Sequence, residues 1–205
     1  MSGDPMNPKT PGSRAARAML WLLRGWRIET TNPSPDRTVM LAVPHTTNLD
    51  GLLLVLLTRS VGMNASWMVK DFWLKPPLGW LIGRVGAIPV NRSKSTGMVG
   101  QMVERFETHD QFQLLVPPEG TRGLTEAWKS GFYRIAVDAG VPVTPAYIDY
   151  RRRRGGFLEP IMMTGDVDVD MEAIRAAYPE AKEMARFPEK FGPIRLEAEG
   201  TTDSD

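Results

Sequence analysis

His45 and Asp50, in the segment Pro44-His45-Thr46-Thr47-Asn48-Leu49-Asp50-Gly51, are the residues whose types and spacing best suit proton transfer. The chain has two histidines and no cysteine, so few of its side chains can exchange a proton near neutral pH. The second histidine lies in the polar stretch Glu107-Thr108-His109-Asp110 and reads as solvated surface. Acid–base chemistry is therefore expected to run through His45. Asp50 would accept a hydrogen bond from one ring nitrogen, fix the tautomer and stabilise the imidazolium. The competing reading is a loop histidine beside an aspartate that stabilises a helix dipole.

The flanking elements decide whether the two side chains can meet. Residues 38–43 form an unbroken β-prone run and predict a buried strand. Residues 49–61, rich in leucine and valine and closed by Gly62, predict a helix with Asn48 as N-cap. His45 then falls on the turn at the carboxyl end of a strand, where open α/β sheets place their ligand crevices. Five positions along one helix would separate the two residues by roughly 140°. With His45 in the loop and Asp50 in the first helical turn, they can approach.

Three further segments place polar groups at the mouth of an apolar run. Gly86-Ala87-Ile88-Pro89-Val90-Asn91-Arg92 ends in an arginine. Leu114-Leu115-Val116-Pro117-Pro118-Glu119-Gly120-Thr121-Arg122 ends in a carboxylate, a hydroxyl and a guanidinium. Val141-Pro142-Val143-Thr144-Pro145-Ala146 is a third strand, with prolines that suit an edge or a strand end. Taken with His45-x4-Asp50, these blocks resemble, in order, the four motifs of the glycerolipid acyltransferases, the 1-acylglycerol-3-phosphate acyltransferase family. Pro-Glu-Gly-Thr-Arg downstream of His-x4-Asp is a specific combination. The runs from Asp71 to Trp80 and from Trp128 to Tyr133 are similar to a short bacterial branch of the family. The second block departs from the commoner pattern: Ile88, Pro89, Val90 and Asn91 stand where an aromatic residue and an aspartate usually precede the arginine. Acceptor choice is thus less defined than reaction type.

The resemblance implies transfer of a fatty acyl group from acyl-CoA or acyl-carrier protein to the hydroxyl of a lysophospholipid. With 1-acylglycerol 3-phosphate as acceptor the product is phosphatidic acid. Such a transfer needs a base to deprotonate the attacking hydroxyl, a task worth ~10² to 10⁴ in rate, and His45 is that base with Asp50 as its orienter. The substrate hydroxyl replaces an enzyme nucleophile, so no acyl-enzyme is required. The chain agrees, having neither a cysteine nor a Gly-x-Ser-x-Gly elbow. A phosphorylated acceptor needs cations, and the planar arginine fork can hold two phosphate oxygens. By the resemblance Arg92 and Arg122 take this part, with Lys70 as a further contact; the competing reading of each is a surface salt bridge. Glu119 either binds the acceptor or pins its loop by pairing with Arg122. Gly120 permits a backbone conformation or close approach that a side chain would block, and Thr121 completes the substrate-binding set. No cofactor and no metal is expected, the acyl thioester being a co-substrate. The alternatives are an acyltransferase for glycerol 3-phosphate or another lysolipid, and a non-catalytic membrane-binding protein on the same fold.

Apolar runs at 38–43, 65–69, 87–90, 113–117 and 142–149 alternate with helical patterns at 49–61, 95–107 and 130–139. Met98, Met102, Val103 and Phe106 mark a core face in the second helix. This alternation predicts a single α/β domain, a mostly parallel sheet flanked by helices, with a further helix near 168–178. Its 205 residues and 42% hydrophobic content suffice for one core. The domain is expected over 29–196, after a disordered, proline- and glycine-rich stretch at 1–13 and before an acidic, frayed tail at 197–205. Lysine plus arginine total 25 against 24 aspartate plus glutamate, which gives no general pull toward nucleic acid.

No stretch approaches the ~18 to 20 apolar residues that span a bilayer. Residues 14–28, wound as a helix, instead place Arg14, Arg17, Arg24 and Arg27 within an arc of about 140°, opposite Met19, Leu22, Leu23 and Trp26. That pattern suits a helix lying in a membrane interface, with Trp73, Pro77, Trp80 and Leu81 as a second patch. The competing reading is a helix that simply covers the sheet. The expected setting is an anionic membrane surface, with the protein peripheral or monotopic on the cytoplasmic face.

Overall fold

The computed structural model describes residues 11–23, 25–30, 34–70, 83, 86–90 and 97–197. Among these, seven strands form one sheet: β1 (Arg27–Ile28), β2 (Arg37–Val43), β3 (Ser66–Lys70), β4 (Ala87–Val90), β5 (Phe112–Val116), β6 (Val143–Asp149) and β7 (Arg154–Phe157). Their spatial order is β1-β7-β6-β2-β5-β3-β4. Every neighbouring pair is parallel except β6–β7, which is antiparallel. The predicted mostly parallel α/β sheet is the one found.

β2 lies at the centre and explains the two-layered core. Successive side chains of a strand point to opposite faces. Val39, Leu41 and Val43 pack on one face of the sheet with α3 (Gly97–Thr108), α4 (Gly131–Ala139) and α5 (Val167–Ala177). Met40 and Ala42 pack on the other with α1 (Pro11–Leu22) and α2 (Asn48–Ser60). α2 buries Leu53 through Leu57 without interruption because it lies between the sheet and α1. A strand buried on both faces reads as a continuous apolar run, which is why residues 38–43 were legible. Two short elements follow α5: α6 (Ala181–Met184) and a 3₁₀ turn at Pro188–Lys190.

Several expectations require correction. The helix predicted over 14–28 is α1, which starts at Pro11 and ends at Leu22. Gly25 adopts φ 75°, and Arg27 and Glu29 donate their backbone N–H groups to Arg153 and Gly155 at 3.1 and 2.7 Å. Sheet bonds thus take the place of further helical turns. The predicted apolar face is also divided: Trp26 is buried with Ala16 and Leu20, whereas Met19, Trp21 and Leu22 are exposed. Arg17 donates to the Ser60 carbonyl at 3.0 Å, tying α1 to the end of α2. In α3 the core positions are Met102 and Phe106, while Met98 is exposed. Pro145 lies in an interior strand, not at an edge. Its missing N–H falls where the β6–β7 ladder, which ends at Ala146↔Phe157, gives way to the Val143↔Ile161 bridge.

The ends differ from expectation as well. Residues 11–13, expected in the disordered stretch, belong to α1, and residues 1–10 lie outside the described set. Glu197, expected to fray, accepts from Lys129 Nζ, Ser130 N and Ser130 Oγ at 2.9–3.0 Å. Residues 198–205 lie outside the described set, as do Arg24, Trp73, Pro77, Trp80 and Leu81.

Candidate active site

The chain leaves β2 through a cis Val43–Pro44 bond and turns into α2. Thr47 is the N-cap in place of the expected Asn48. Its hydroxyl accepts from Leu49 N at 3.1 Å, while the Asp50 carboxylate reaches back to the N–H groups of Thr46 and Thr47 at 2.6 and 2.8 Å. This reciprocal capping box satisfies amides that the first helical turn leaves without partners. It also fixes the turn that carries His45.

Asp50 is fully buried, and its Oδ1 accepts a third hydrogen bond, from the Tyr150 hydroxyl at 2.6 Å. Burial pushes its carboxyl above the ordinary value. The bonds from Tyr150, Thr47 and Thr46 and the neighbouring His45 pull the other way without cancelling that effect. The expected hydrogen bond between Asp50 and the His45 ring is not formed. Asp50 is committed to the cap and to Tyr150, and His45 Nδ1 is buried without a hydrogen-bond partner among the described residues. The two groups nevertheless act on each other electrostatically. Burial lowers the His45 pKa, Asp50 raises it and Arg122 lowers it; the balance is a ring less basic than a free imidazole. A histidine so shifted is predominantly neutral at pH 7, the form that can accept a proton.

The loop after β5 brings the third block to His45. Glu119 is buried, and its Oε1 accepts the His45 backbone N–H at 3.0 Å. Its Oε2 is buried without a partner among the described residues. Burial pushes this carboxyl up to about 7 even though the amides of Glu119 and His45 favour the charged form. The expected Glu119–Arg122 pair is absent: Arg122 is exposed and donates instead to the Asn48 side chain at the start of α2. Glu119 thus pins a loop, but the loop is that of His45. Gly120 sits at φ 66°, a backbone conformation that side chains disfavour, and a Cβ there would approach Lys129 Cγ to 3.0 Å. Thr121 is exposed, its hydroxyl accepting from Gly123 N at 3.2 Å.

The structure therefore gathers His45, Asp50, Glu119, Gly120, Thr121 and Arg122 where β2 and β5 end. Lys70 closes β3, its side chain outside the described residues, and Arg92 lies outside them altogether. His109 is exposed, with its ring near the Thr108 hydroxyl, as expected of surface. Among the described residues no group of three or more His, Cys, Asp or Glu could hold a metal ion. Tyr150, at the end of β6, is the member that the sequence did not reveal. The ladder pairs Val43 with Tyr147, so the next residues of β6 rise beside the His45 loop.

Comparison with known proteins identifies the family and the fold. A family model described as Acyltransferase matches residues 26–149. Among solved structures, the fold is similar to that of the 1-acyl-sn-glycerophosphate acyltransferase PlsC from Thermotoga maritima, with a TM-score of 0.59 and 14% sequence identity over 85% of this chain and 78% of that one. No curated protein matches.

Proposed function

Since the chain belongs to the Acyltransferase family, and is an acyltransferase on that ground, we propose that it esterifies a lysophospholipid, 1-acylglycerol 3-phosphate, to phosphatidic acid. The observation that carries this reading is the His45 site: a neutral-leaning imidazole on a rigid capped turn, beside a buried carboxylate and an exposed arginine. In the proposed step one ring nitrogen of His45 takes the proton from the acceptor hydroxyl as its oxygen attacks the thioester carbonyl. The carbon–sulfur bond then breaks, and the departing thiolate recovers the proton from His45. Asp50 lowers the energy of the transient imidazolium through its charge, at a distance that needs no direct hydrogen bond. Arg122, steered by Asn48, meets the acceptor phosphate, and Arg92 and Lys70 are proposed to share that charge. The donor is acyl-CoA or acyl-carrier protein, and no cofactor is invoked.

A membrane-borne acceptor also gives a use to the exposed side chains of α1. Trp21 and Leu22 are 75% and 71% exposed on a helix whose other face is buried on α2. We place this edge in the interface of an anionic membrane, with the protein peripheral or monotopic on the cytoplasmic side. No helix among the described residues is long and apolar enough to cross a membrane.

The decisive assay gives purified wild type and His45→Ala labelled acyl-CoA and lysophosphatidic acid in the presence of anionic vesicles. Wild type is expected to form phosphatidic acid and the variant to lose ~10² to 10⁴ of that rate. Equal product from both overturns the base assignment. No product from either, across glycerol 3-phosphate and other lysolipids as well, favours a non-catalytic membrane-binding protein.

A further inference from the structure

Tyr150 lies one residue past β6 and just beyond the segment matched by the family model. Three elements hold it. Its ring meets Trp26, from the segment after α1, edge to face at a centroid distance of 5.1 Å. Its backbone N–H donates to Met184 of α6 at 3.0 Å, and the Arg186 guanidinium lies 6.0 Å from its ring centre. Its hydroxyl is thereby directed at Asp50 Oδ1, 2.6 Å away. The cap itself does not require that hydroxyl: the capping box is complete through Oδ2 alone, and a phenylalanine would fill the same space.

We propose that Tyr150 is a positioning residue for the His45–Asp50 pair, holding Asp50 Oδ1 and setting how strongly the carboxylate draws a proton to the pair. This rests on the proposed role of His45 as base. A phenol O–H donated to a carboxylate stabilises the anion. With that hydroxyl removed, the same buried carboxylate carries its charge with one donor fewer. With Asp50 ionised, its less compensated charge then draws a proton to the His45 ring more strongly. The neutral base is lost at a higher pH than in wild type. The other ionisable groups that face these residues are Arg122 toward His45, Glu119 toward Asp50 and Arg186 toward Tyr150. Arg122 and Glu119 remain in place in Tyr150→Phe. The hydroxyl it removes is also hydrogen-bonded by the Arg186 side chain, so Arg186→Ala, which keeps the hydroxyl on Asp50, serves as the companion variant and is expected to leave the His45 midpoint closer to wild type than Tyr150→Phe does.

Two readouts on the full-length chain test this. The first is the titration of the His45 ring by NMR, with the exposed His109 as internal reference; it needs no substrate. In Tyr150→Phe the His45 midpoint is expected to move to higher pH by about 0.5 to 1 unit, with His109 unmoved. Tyr133→Phe removes the same hydroxyl from a different buried carboxylate, Asp170 (2.8 Å), and is expected to leave His45 unchanged. The second readout is the pH profile of kcat/KM with acyl-CoA and lysophosphatidic acid. Its acidic limb is expected to move upward in Tyr150→Phe, giving a roughly 3- to 10-fold loss below the limb and near-equality above it. An unmoved His45 midpoint overturns the proposal, as does a uniform loss of rate at every pH or an equal shift in Tyr133→Phe. A shifted His45 midpoint with no acyl transfer by any form of the protein supports the coupling and overturns the functional reading instead.

Discussion

Asp50 and Asp170 are built alike and held differently. Each is buried in the first turns of a helix and accepts a tyrosine hydroxyl, Tyr150 at 2.6 Å in one case and Tyr133 at 2.8 Å in the other. Asp170 gathers further donors from Thr164 N, Thr164 Oγ1 and Gly165 N. Burial pushes its carboxyl up, but these bonds prevail and hold it below the ordinary carboxylate value. Asp50 has two backbone donors besides its tyrosine, and burial prevails. The added donors, acting against a shallower burial, turn one carboxylate into a fixed anchor for the loop before α5. The other is left under-compensated beside an imidazole, an arrangement fitted to moving a proton.

The contrast is broken most severely at Asp50. Asp50→Asn keeps an oxygen for the cap but removes the charge that favours imidazolium. A loss of about 10²-fold or more in kcat/KM is expected, with a lesser fall in thermal midpoint. Asp170→Asn should do the reverse. Stripped of several charge-assisted bonds, the fold is expected to lose about 4 kcal/mol in denaturant unfolding, while kcat/KM per folded molecule stays at the wild-type level.

Glu119 extends the comparison to a carboxyl held by backbone amides and by no side-chain donor among the described residues. Its pKa rises on folding from 4.5 to about 7, so the folded state binds this proton more tightly than the unfolded state. Its burial therefore costs nothing below the ordinary glutamate value and progressively more as pH rises toward 7, reaching about 3 kcal/mol. Glu119→Gln keeps an oxygen for the His45 amide and removes the titration. Urea unfolding of this variant is expected to match wild type at pH 4 and to exceed it by about 3 kcal/mol at pH 8. Glu197, at the surface, completes the series with the smallest effect. Lys129 and Ser130 hold its carboxyl down to about 2, so its contribution is present above the ordinary glutamate value and fades as pH falls. Glu197→Ala should lower the thermal midpoint slightly at pH 7, and less so in high salt.

Local pattern explains what the sequence revealed. The strand of residues 38–43, the turn at His45 and the helix that follows depend on neighbouring residues, and their placement agrees with the structure to within one or two positions. Even the error at the N-cap is local: Thr47-x-x-Asp50 has the spacing of a capping box, with aspartate in the usual glutamate position. What the sequence hid depends on distant partners. Tyr150 meets Asp50 across 100 residues, and Glu119 meets the His45 amide across 74. Arg122, only three positions from Glu119, was the local alternative and does not bind it. β1 and β7 escaped notice because Arg27–Ile28 and Arg154–Phe157 are too short to show a period. They become strands only through each other and β6.

The sheet's two margins share one consequence. On one side β1 offers a ladder of just two residues; on the other, β4 carries Pro89, which has no N–H to give. Against β1, Gly156 lies so close to Glu29 that an added Cβ would fall 1.5 Å from its carbonyl oxygen. Neither margin is a good template for a foreign strand, so both resist the edge-to-edge growth that leads to aggregation. Among the described residues, helix faces and loops are the surfaces left for copies of this protein to associate through.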